Sequence, residues 1–206
     1  MLDYFLLLNE PRRPWLDTDA LKAKFLALST KSHPDHFHGV GDEEKREVNQ
    51  RFADLNAAFN GLRDPKARLL HLLELESGGK PKDVQRIPPG TLDLFVEVGQ
   101  LGREVDAFLT EKAKVTSPML KVPMFERAIE WADKLKALQQ KVNLQRDALI
   151  AELQQLNPAW EAAAATGAPA RQQTLPLERL EQIYRILSYA GRWTDQIQER
   201  SVLLSL

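Results

Sequence analysis

The sequence predicts an all-α protein. Its long apolar patterns repeat at steps of three and four residues, which is the spacing of one face of an α-helix. No convincing run of alternating apolar and polar residues lies between turn signals, so no strand is predicted. Prolines and glycines collect between the periodic segments, where they end the predicted helices.

Two short-range signals place the first two helices. Asp3 is suited to cap a short helix through Leu8, because an aspartate side chain accepts hydrogen bonds from the free N–H groups of a first turn. Asp17 has the same position before a second helix, which Pro34 forces to end near Ser32. The apolar face of this second helix consists of Leu21, Phe25 and Leu28.

A third helix begins after a connection of about ten residues and forms the other half of a predicted hairpin. Acidic residues 42–44 favour its start, since negative charge stabilises a helix N-terminus. Its narrow apolar seam consists of Val48, Phe52, Leu55, Phe59 and Leu62. We expect the two seams to pack against each other in antiparallel helices. A fourth helix is predicted from Pro65, a residue favoured at the first helical position, toward Ser77.

The rest of the chain predicts a second helical domain. Residues 78–90, GGKPKDVQRIPPG, have the composition of a linker. Three helices are expected in residues 91–206, and the second of them, 124–156, is expected to be interrupted by Asn157 and Pro158. Residues 166–176 are predicted to be a loop or disordered. The predicted organisation is therefore a hairpin domain at 1–77, a linker and a three-helix bundle.

Composition excludes several classes of function. The chain has 28 Lys and Arg residues against 29 Asp and Glu, so no excess of charge favours nucleic acid or an anionic membrane. It has no cysteine and therefore no thiolate ligand for zinc or an iron–sulfur cluster. No window approaches the ~18 apolar residues of a membrane span, and the N-terminus is unlike a secretory signal, so a cytoplasmic protein is expected.

The segment SHPDHFH, residues 32–38, holds three of the four histidines. Its imidazoles and carboxylate are ligand types that suit zinc, with His33, Asp35, His36 and His38 as the candidates. Pro34 argues against that hypothesis, because it fixes the loop between two candidate ligands and no regular element makes them converge. No serine triad or rigid framework supports a catalytic base here. An ordinary polar loop is the remaining interpretation from the residues alone.

The surrounding motifs resemble the J domain of DnaJ-type co-chaperones. They are His33–Pro34–Asp35 between two amphipathic helices, the DYFLLL stretch at 3–8, and NAAFNGLRDPKAR at 56–68. The phenylalanine of HPDHF, the helical domain that follows, and LNPAWEAAA at 156–164 resemble the HscB family of iron–sulfur co-chaperones. This resemblance covers most of the chain, and it departs from the family in the linker and in 166–176.

The resemblance implies a protein that is not an enzyme and needs no cofactor. It implies a J domain that docks on a DnaK-type ATPase, usually HscA, and stimulates ATP hydrolysis. In this interpretation His33, Pro34 and Asp35 trigger the ATPase, and Asp35 pairs with an arginine of the chaperone. His36 stands where J domains usually carry Lys or Arg. Lys24 and Lys31 share one stripe of the second helix and are the predicted basic patch, or otherwise a solvated face.

The resemblance also implies a client. In the family, a patch of leucine or methionine with glutamates on the first helix of the C-terminal domain binds the iron–sulfur scaffold IscU. The corresponding residues are Leu94, Phe95, Val96 and Glu97, although Gly99 and Gly102 depart from the pattern. Phe95 is equally well explained as core. Two alternatives stay open: a J-domain protein with a different client, and a coiled-coil scaffold in which the HPD loop has no role. The resemblance and the N-terminus together predict a bacterial cytoplasm.

Overall fold

The computed structural model describes residues 1–32, 41–81, 87–164 and 167–206. Throughout these ranges the regular elements are helices, which confirms the predicted all-α class. None of the helices described there is both long and apolar enough to cross a bilayer. In chain order the helices are α1 (Tyr4–Leu7), α2 (Thr18–Lys31), α3 (Asp42–Arg63), α4 (Pro65–Ser77), α5 (Leu92–Lys112), α6 (Pro118–Ala162), α7 (Ala168–Thr174) and α8 (Leu177–Ser205).

The first two helices begin at the predicted caps. The Asp3 carboxylate accepts hydrogen bonds from the N–H groups of Phe5 and Leu6, at 3.0 and 3.2 Å. The Asp17 carboxylate accepts one from Ala20 N–H at 2.8 Å. Such caps stabilise a helix by about 0.5–2 kcal/mol, which matters most for α1, because its four residues are too few to be stable alone.

Helices α2 and α3 form the predicted hairpin. The rings of Phe25 and Phe59 stack across it, with their centroids 4.4 Å apart and an interplanar angle of 12°. Leu21 of α2 and Leu55 and Leu62 of α3 are fully or almost fully buried. Helix α1 packs on α3 as well. The two apolar seams read from the sequence therefore meet in one core.

The chain divides into two compact units, and each combines separate stretches of sequence. The first comprises Met1–Lys82 and Ile150–Tyr184, and the second comprises Asp83–Leu149 and Arg185–Leu206. The first unit thus includes residues that the sequence analysis assigned to the C-terminal domain. Whether 1–77 and 91–206 are separable domains joined by a linker stays a prediction.

Reciprocal hydrogen bonds fix the end of α6 within the first unit. The Asn157 side-chain oxygen accepts from Trp15 N–H, and its amide nitrogen donates to Trp15 C=O, each at 3.0 Å. One amide side chain therefore satisfies both backbone groups of a residue in the connection between α1 and α2. Trp160, one turn further along α6, is 1% exposed.

These contacts explain why the predicted interruption at Pro158 is wrong. Helix α6 passes through Asn157 and Pro158 and ends at Ala162, and it begins at Pro118 rather than near Met124. A proline inside a helix costs about 3 kcal/mol through the lost hydrogen bond and the clash of its ring. Burial of Trp160 and the bonds of Asn157 offset that loss, and neither is visible in local sequence.

Residues 168–174, inside the predicted loop, form the short helix α7. Pro169 occupies its first turn, where a proline is compatible with a helix because the N–H there has no intrahelical partner. The loop predicted for 166–176 is therefore wrong over 168–174. Arg171 ties α7 to the first unit: it donates to the carboxylate of Glu76 at 2.8 and 2.9 Å and to Ala163 C=O at 2.6 Å.

The second unit is the predicted three-helix bundle, built from α5, the larger part of α6 and the larger part of α8. Its core faces follow the predicted helical periods. The buried residues are Val98, Val105, Phe108, Ala128, Leu135, Leu138, Val142, Ala190, Trp193, Ile197 and Leu204.

Candidate functional site

The predicted docking loop joins the two helices of the hairpin. Helix α2 ends at Lys31 and α3 begins at Asp42. His33, Pro34, Asp35, His36 and His38 lie outside the described residues, so their predicted roles are considered from the sequence. The described parts of the chain contain no group of three His, Cys, Asp or Glu residues arranged to hold a metal ion. The metal hypothesis for the loop is therefore untested.

The two lysines predicted to bind the chaperone differ in their surroundings. Lys31 is exposed in the last turn of α2. Lys24 is held within the chain: its ammonium lies 2.7 Å from the carboxylate of Glu10 and donates to Asn9 C=O at 3.2 Å. The Glu10 side chain is only 4% exposed, so loss of Lys24 would leave a buried carboxylate poorly paired. Lys24 has a structural role that the sequence analysis missed.

Lys24 also supports an unusual turn. Asn9 has φ 53°, in the left-handed region, and it is the only residue other than glycine with positive φ in the described parts of the chain. Asparagine tolerates this conformation better than most residues. The turn directs the chain from α1 toward α2, and Lys24 closes it from the α2 side.

The DPxxR motif, residues 64–68, joins the end of α3 to α4 and to the connection before α2. Asp64 caps α4 by accepting from Ala67 N–H at 2.7 Å, and Pro65 occupies the first turn. The Arg68 guanidinium is 2% exposed and donates to the C=O groups of Pro14 and Leu62, at 2.8 and 2.6 Å. Burial lowers the Arg68 pKa to about 10, which still leaves the side chain charged at neutral pH. A charged side chain here joins the end of α3 to the connection before α2.

His71, the fourth histidine, completes the attachment of α1. Its Nε2 accepts a hydrogen bond from Tyr4 N–H at 3.0 Å, and the two rings stack with centroids 4.2 Å apart. A ring nitrogen that accepts must be unprotonated, so the geometry requires neutral imidazole with its hydrogen on Nδ1. Desolvation by burial lowers the His71 pKa, the charges of Asp3 and Glu74 oppose that shift, and Arg12 adds to it.

This contact predicts a pH-dependent stability. The folded-state pKa lies below the unfolded value of 6.5, so the stabilisation is fully present above pH 6.5 and is lost as pH falls from there toward the folded-state pKa. We expect hydrogen-exchange protection of the amides of α1 and α4 to decrease when the pH is lowered from 7.5 to 5. His71→Gln offers an acceptor that does not titrate, so its slope should be flatter. Equal slopes in both proteins would contradict the assignment.

The residues predicted to bind a client lie at the start of α5. Phe95 is 39% and Val96 is 52% exposed, so the alternative of Phe95 as core does not hold. Leu94 is half-buried against the bundle core. Glu97 pairs with Lys141 of α6, with 2.5 Å between Oε1 and Nζ. Leu92, which the sequence analysis did not select, is 58% exposed.

Three of these exposed side chains form one patch, which we call the α5 patch: Leu92, Phe95 and Val96. They stand at positions i, i+3 and i+4, which are neighbours on a helix surface. Gly99 continues this face, and a side chain built there would meet only Arg103, at 3.6 Å. A different contact explains the glycine at position 102: the Arg200 guanidinium lies against Gly102 and donates to its C=O. The glycines that weakened the sequence prediction are thus compatible with an exposed apolar patch.

Part of the chain is similar in sequence to a known co-chaperone. The chain is 42% identical over 73 residues to the co-chaperone protein HscB homolog of Azoarcus sp. strain BH72. That match covers 35% of this chain and 41% of the relative, so it spans less than half of the relative's length. No family model matches the chain.

Two solved structures match most of this chain. The crystal structure of human co-chaperone protein HscB matches 96% of this chain and 81% of its own, with a TM-score of 0.63 and 18% identity. Chaperone HscB from Vibrio cholerae matches 95% of this chain and 99% of its own, with a TM-score of 0.48 and 24% identity. The human structure supports an HscB-type fold: a J domain and a helical C-terminal bundle.

Proposed function

We propose that this chain is a co-chaperone of the HscB family, which docks through its J domain on a DnaK- or HscA-type chaperone and stimulates its ATPase. The observation that carries the proposal is the position of His33–Pro34–Asp35 in the connection between α2 and α3, two helices whose seams pack together. Arg68 fixes the end of α3 by donating to Leu62 C=O and Pro14 C=O. The hairpin therefore holds the residues at both ends of the connection in place.

The chaperone side of the proposal depends on charge. Asp35 supplies a carboxylate for an arginine of the chaperone, and such pairs form strong, directional hydrogen bonds. Lys31 and His36 extend the docking surface, with Lys31 exposed at the loop end of α2. Lys24 is the weaker candidate, because docking through its ammonium would compete with Glu10. A Lys24 variant would therefore lose stability and docking together.

Single-turnover ATP hydrolysis by a purified DnaK-type chaperone tests this function. Addition of the full chain should accelerate hydrolysis, and the acceleration should saturate with its concentration. The HscA-like chaperone of the same organism is the best matched partner. Absence of any acceleration with that partner would overturn the proposal and reopen the scaffold and metal hypotheses.

The client that we propose is an IscU-like iron–sulfur scaffold protein, which the co-chaperone would deliver to the chaperone during cluster assembly or transfer. The α5 patch is its proposed docking surface, flanked by Glu97. Exposed aromatic and branched side chains at i, i+3 and i+4 can anchor in a groove of a partner. The patch differs from the family's pattern of leucine or methionine with glutamates, and this difference favours a second candidate: a J-domain co-chaperone with another client.

Phe95→Ala is expected to weaken binding of purified IscU-like scaffold by about tenfold or more, because loss of a central apolar anchor typically removes at least ~1–2 kcal/mol. Isothermal titration calorimetry with the full chain measures the change. Phe125→Ala is the matched control, since Phe125 is 64% exposed in the same unit and lies outside the α5 patch. Equal effects of the two substitutions, or none, would exclude this patch. Normal ATPase stimulation combined with no scaffold binding would favour the second candidate.

A further inference from the structure

A cavity lies within the first unit. Its volume is about 670 Å³, within the range of about 300–1,000 Å³ that is common for small-molecule sites. Four stretches line it: residues 11–13, the end of α4, the end of α6 with Ala164, and α7. The LNPAWEAAA segment, to which the proposed function assigns no role, supplies Trp160 and Glu161.

Three arginines line this cavity, and two of them pair with a carboxylate at hydrogen-bond distance. Arg12 donates twice to Asp3, at 3.0 and 2.8 Å. Arg171 donates twice to Glu76, whose side chain is 2% exposed. Arg171 donates to both oxygens of Glu76 in the two-pronged geometry of a guanidinium–carboxylate pair, whereas both bonds of Arg12 converge on Oδ2 of Asp3. These two arginines therefore have a structural role.

Arg13 is held differently. Its guanidinium lies 3.7 Å from the carboxylates of both Glu10 and Glu161, which is longer than the ~2.7–3.2 Å of an N–H···O hydrogen bond. Its Nε has no hydrogen-bond partner in the described parts of the chain. Glu10 is already held by Lys24 at 2.7 Å, and Glu161 is 61% exposed. Arg13 thus has weak attachments and can accept another anion.

Trp160 is the second unsatisfied donor. It is 1% exposed, and its indole N–H also lacks a hydrogen-bond partner among the described residues. A buried donor without an acceptor costs about 1–3 kcal/mol, so two of them among the residues that line one cavity are unusual. The Arg13 guanidinium and the Trp160 indole N–H can only donate hydrogen bonds. A ligand that satisfies them must therefore carry hydrogen-bond acceptors.

We propose that this cavity, the Arg13 cavity, binds a small organic anion with its carboxylate or phosphate group on Arg13. Asp3 pairs with Arg12 and Glu76 pairs with Arg171, so Arg13, which Glu10 and Glu161 reach only at 3.7 Å, is the cation available to the anion. Carboxylates and phosphates match the planar donor pattern of a guanidinium. Leu75 and Pro11 provide apolar surface for the body of the ligand. Glu161, which reaches Arg13 only at 3.7 Å, is the group that the anion displaces.

The test uses the full chain labelled with ¹⁵N at its tryptophan indoles, which are four in number. Phenyl phosphate, benzoate and inorganic phosphate are titrated separately, and the Trp160 resonance is assigned with Trp160→Phe. We expect a saturable shift of the Trp160 indole signal with phenyl phosphate or benzoate, and none for Trp193 in the second unit. The better of these two probes identifies the acidic group. If inorganic phosphate binds as tightly as both organic probes, the proposal that the ligand is an organic anion is wrong.

Two substitutions with opposite expected signs separate binding from folding. Arg13→Gln should weaken binding by about tenfold or more, because a charge-assisted pair is lost. Glu161→Gln should tighten it, an effect that misfolding does not produce. Arg146→Gln is the control, since Arg146 pairs with Asp147 outside this unit. Parallel shifts of Trp160 and Trp193, or equal effects of the two arginine variants, would mean an adventitious ion only. No chaperone is present, so the result is independent of the proposed function.

Discussion

Replacement of Asp35 by Asn is expected to abolish stimulation of the chaperone's ATPase. The substitution retains the size of the side chain and removes its negative charge, so a charge-assisted bond to an arginine of the chaperone is lost. Truncation of one member of a buried charged pair typically costs about 2–5 kcal/mol, which corresponds to a loss of at least about 30-fold in docking. Single-turnover ATP hydrolysis at fixed chaperone concentration measures this loss directly.

Asp42→Asn is the matched control for that experiment. Asp42 is an exposed acid in the first turn of α3, at the other end of the same connection. Its replacement removes the same charge from the same region, so a nonspecific electrostatic effect would appear in both variants. Loss of stimulation in Asp35→Asn alone would establish the trigger and leave the client as the open question. Full stimulation by Asp35→Asn would contradict the J-domain interpretation.

Local sequence was sufficient where the determining contact is local. Asp3 and Asp17 cap the helices that their positions predict, since a cap needs only the next three residues. The hairpin follows from the apolar seams of α2 and α3, because these two helices are adjacent in sequence and each needs an apolar face to pack against. Local reasoning was wrong at Pro158, because α6 continues through it with support from Trp15, which is 142 positions away from Asn157.

The candidate site shows the same division. Helical spacing placed Phe95 and Val96 beside the core seam, and both are exposed. Helical spacing also selected Lys24, and it could not show that Glu10 holds this lysine from another element. Nothing in the sequence pairs His71 with Tyr4, since a single neutral histidine in an apolar helix carries no spacing signal. The Arg13 cavity combines four stretches, so only the folded chain shows it.

Replacement of Arg68 by Met is expected to cause the largest loss in the free energy of unfolding. Arg68→Met retains much of the side-chain volume but leaves the buried C=O groups of Pro14 and Leu62 without their donor. Each unsatisfied group costs about 1–3 kcal/mol, so the first unit should lose about 2–6 kcal/mol. Native-state hydrogen exchange is the appropriate measurement, because it reports α3 and α4 separately from the second unit.

Arg63→Met is the control for Arg68. Arg63 is exposed at the end of α3, with its guanidinium 5.8 Å from the centre of the Phe59 ring, so its loss should change stability by no more than about 1 kcal/mol. If the Arg68 variant loses exchange protection in α3 and α4 and the Arg63 variant does not, DPxxR is a structural motif that positions the hairpin. If Arg68→Met retains its protection, the two carbonyl groups have other partners. The rigidity of the docking hairpin must then come from the apolar seam of α2 and α3 alone.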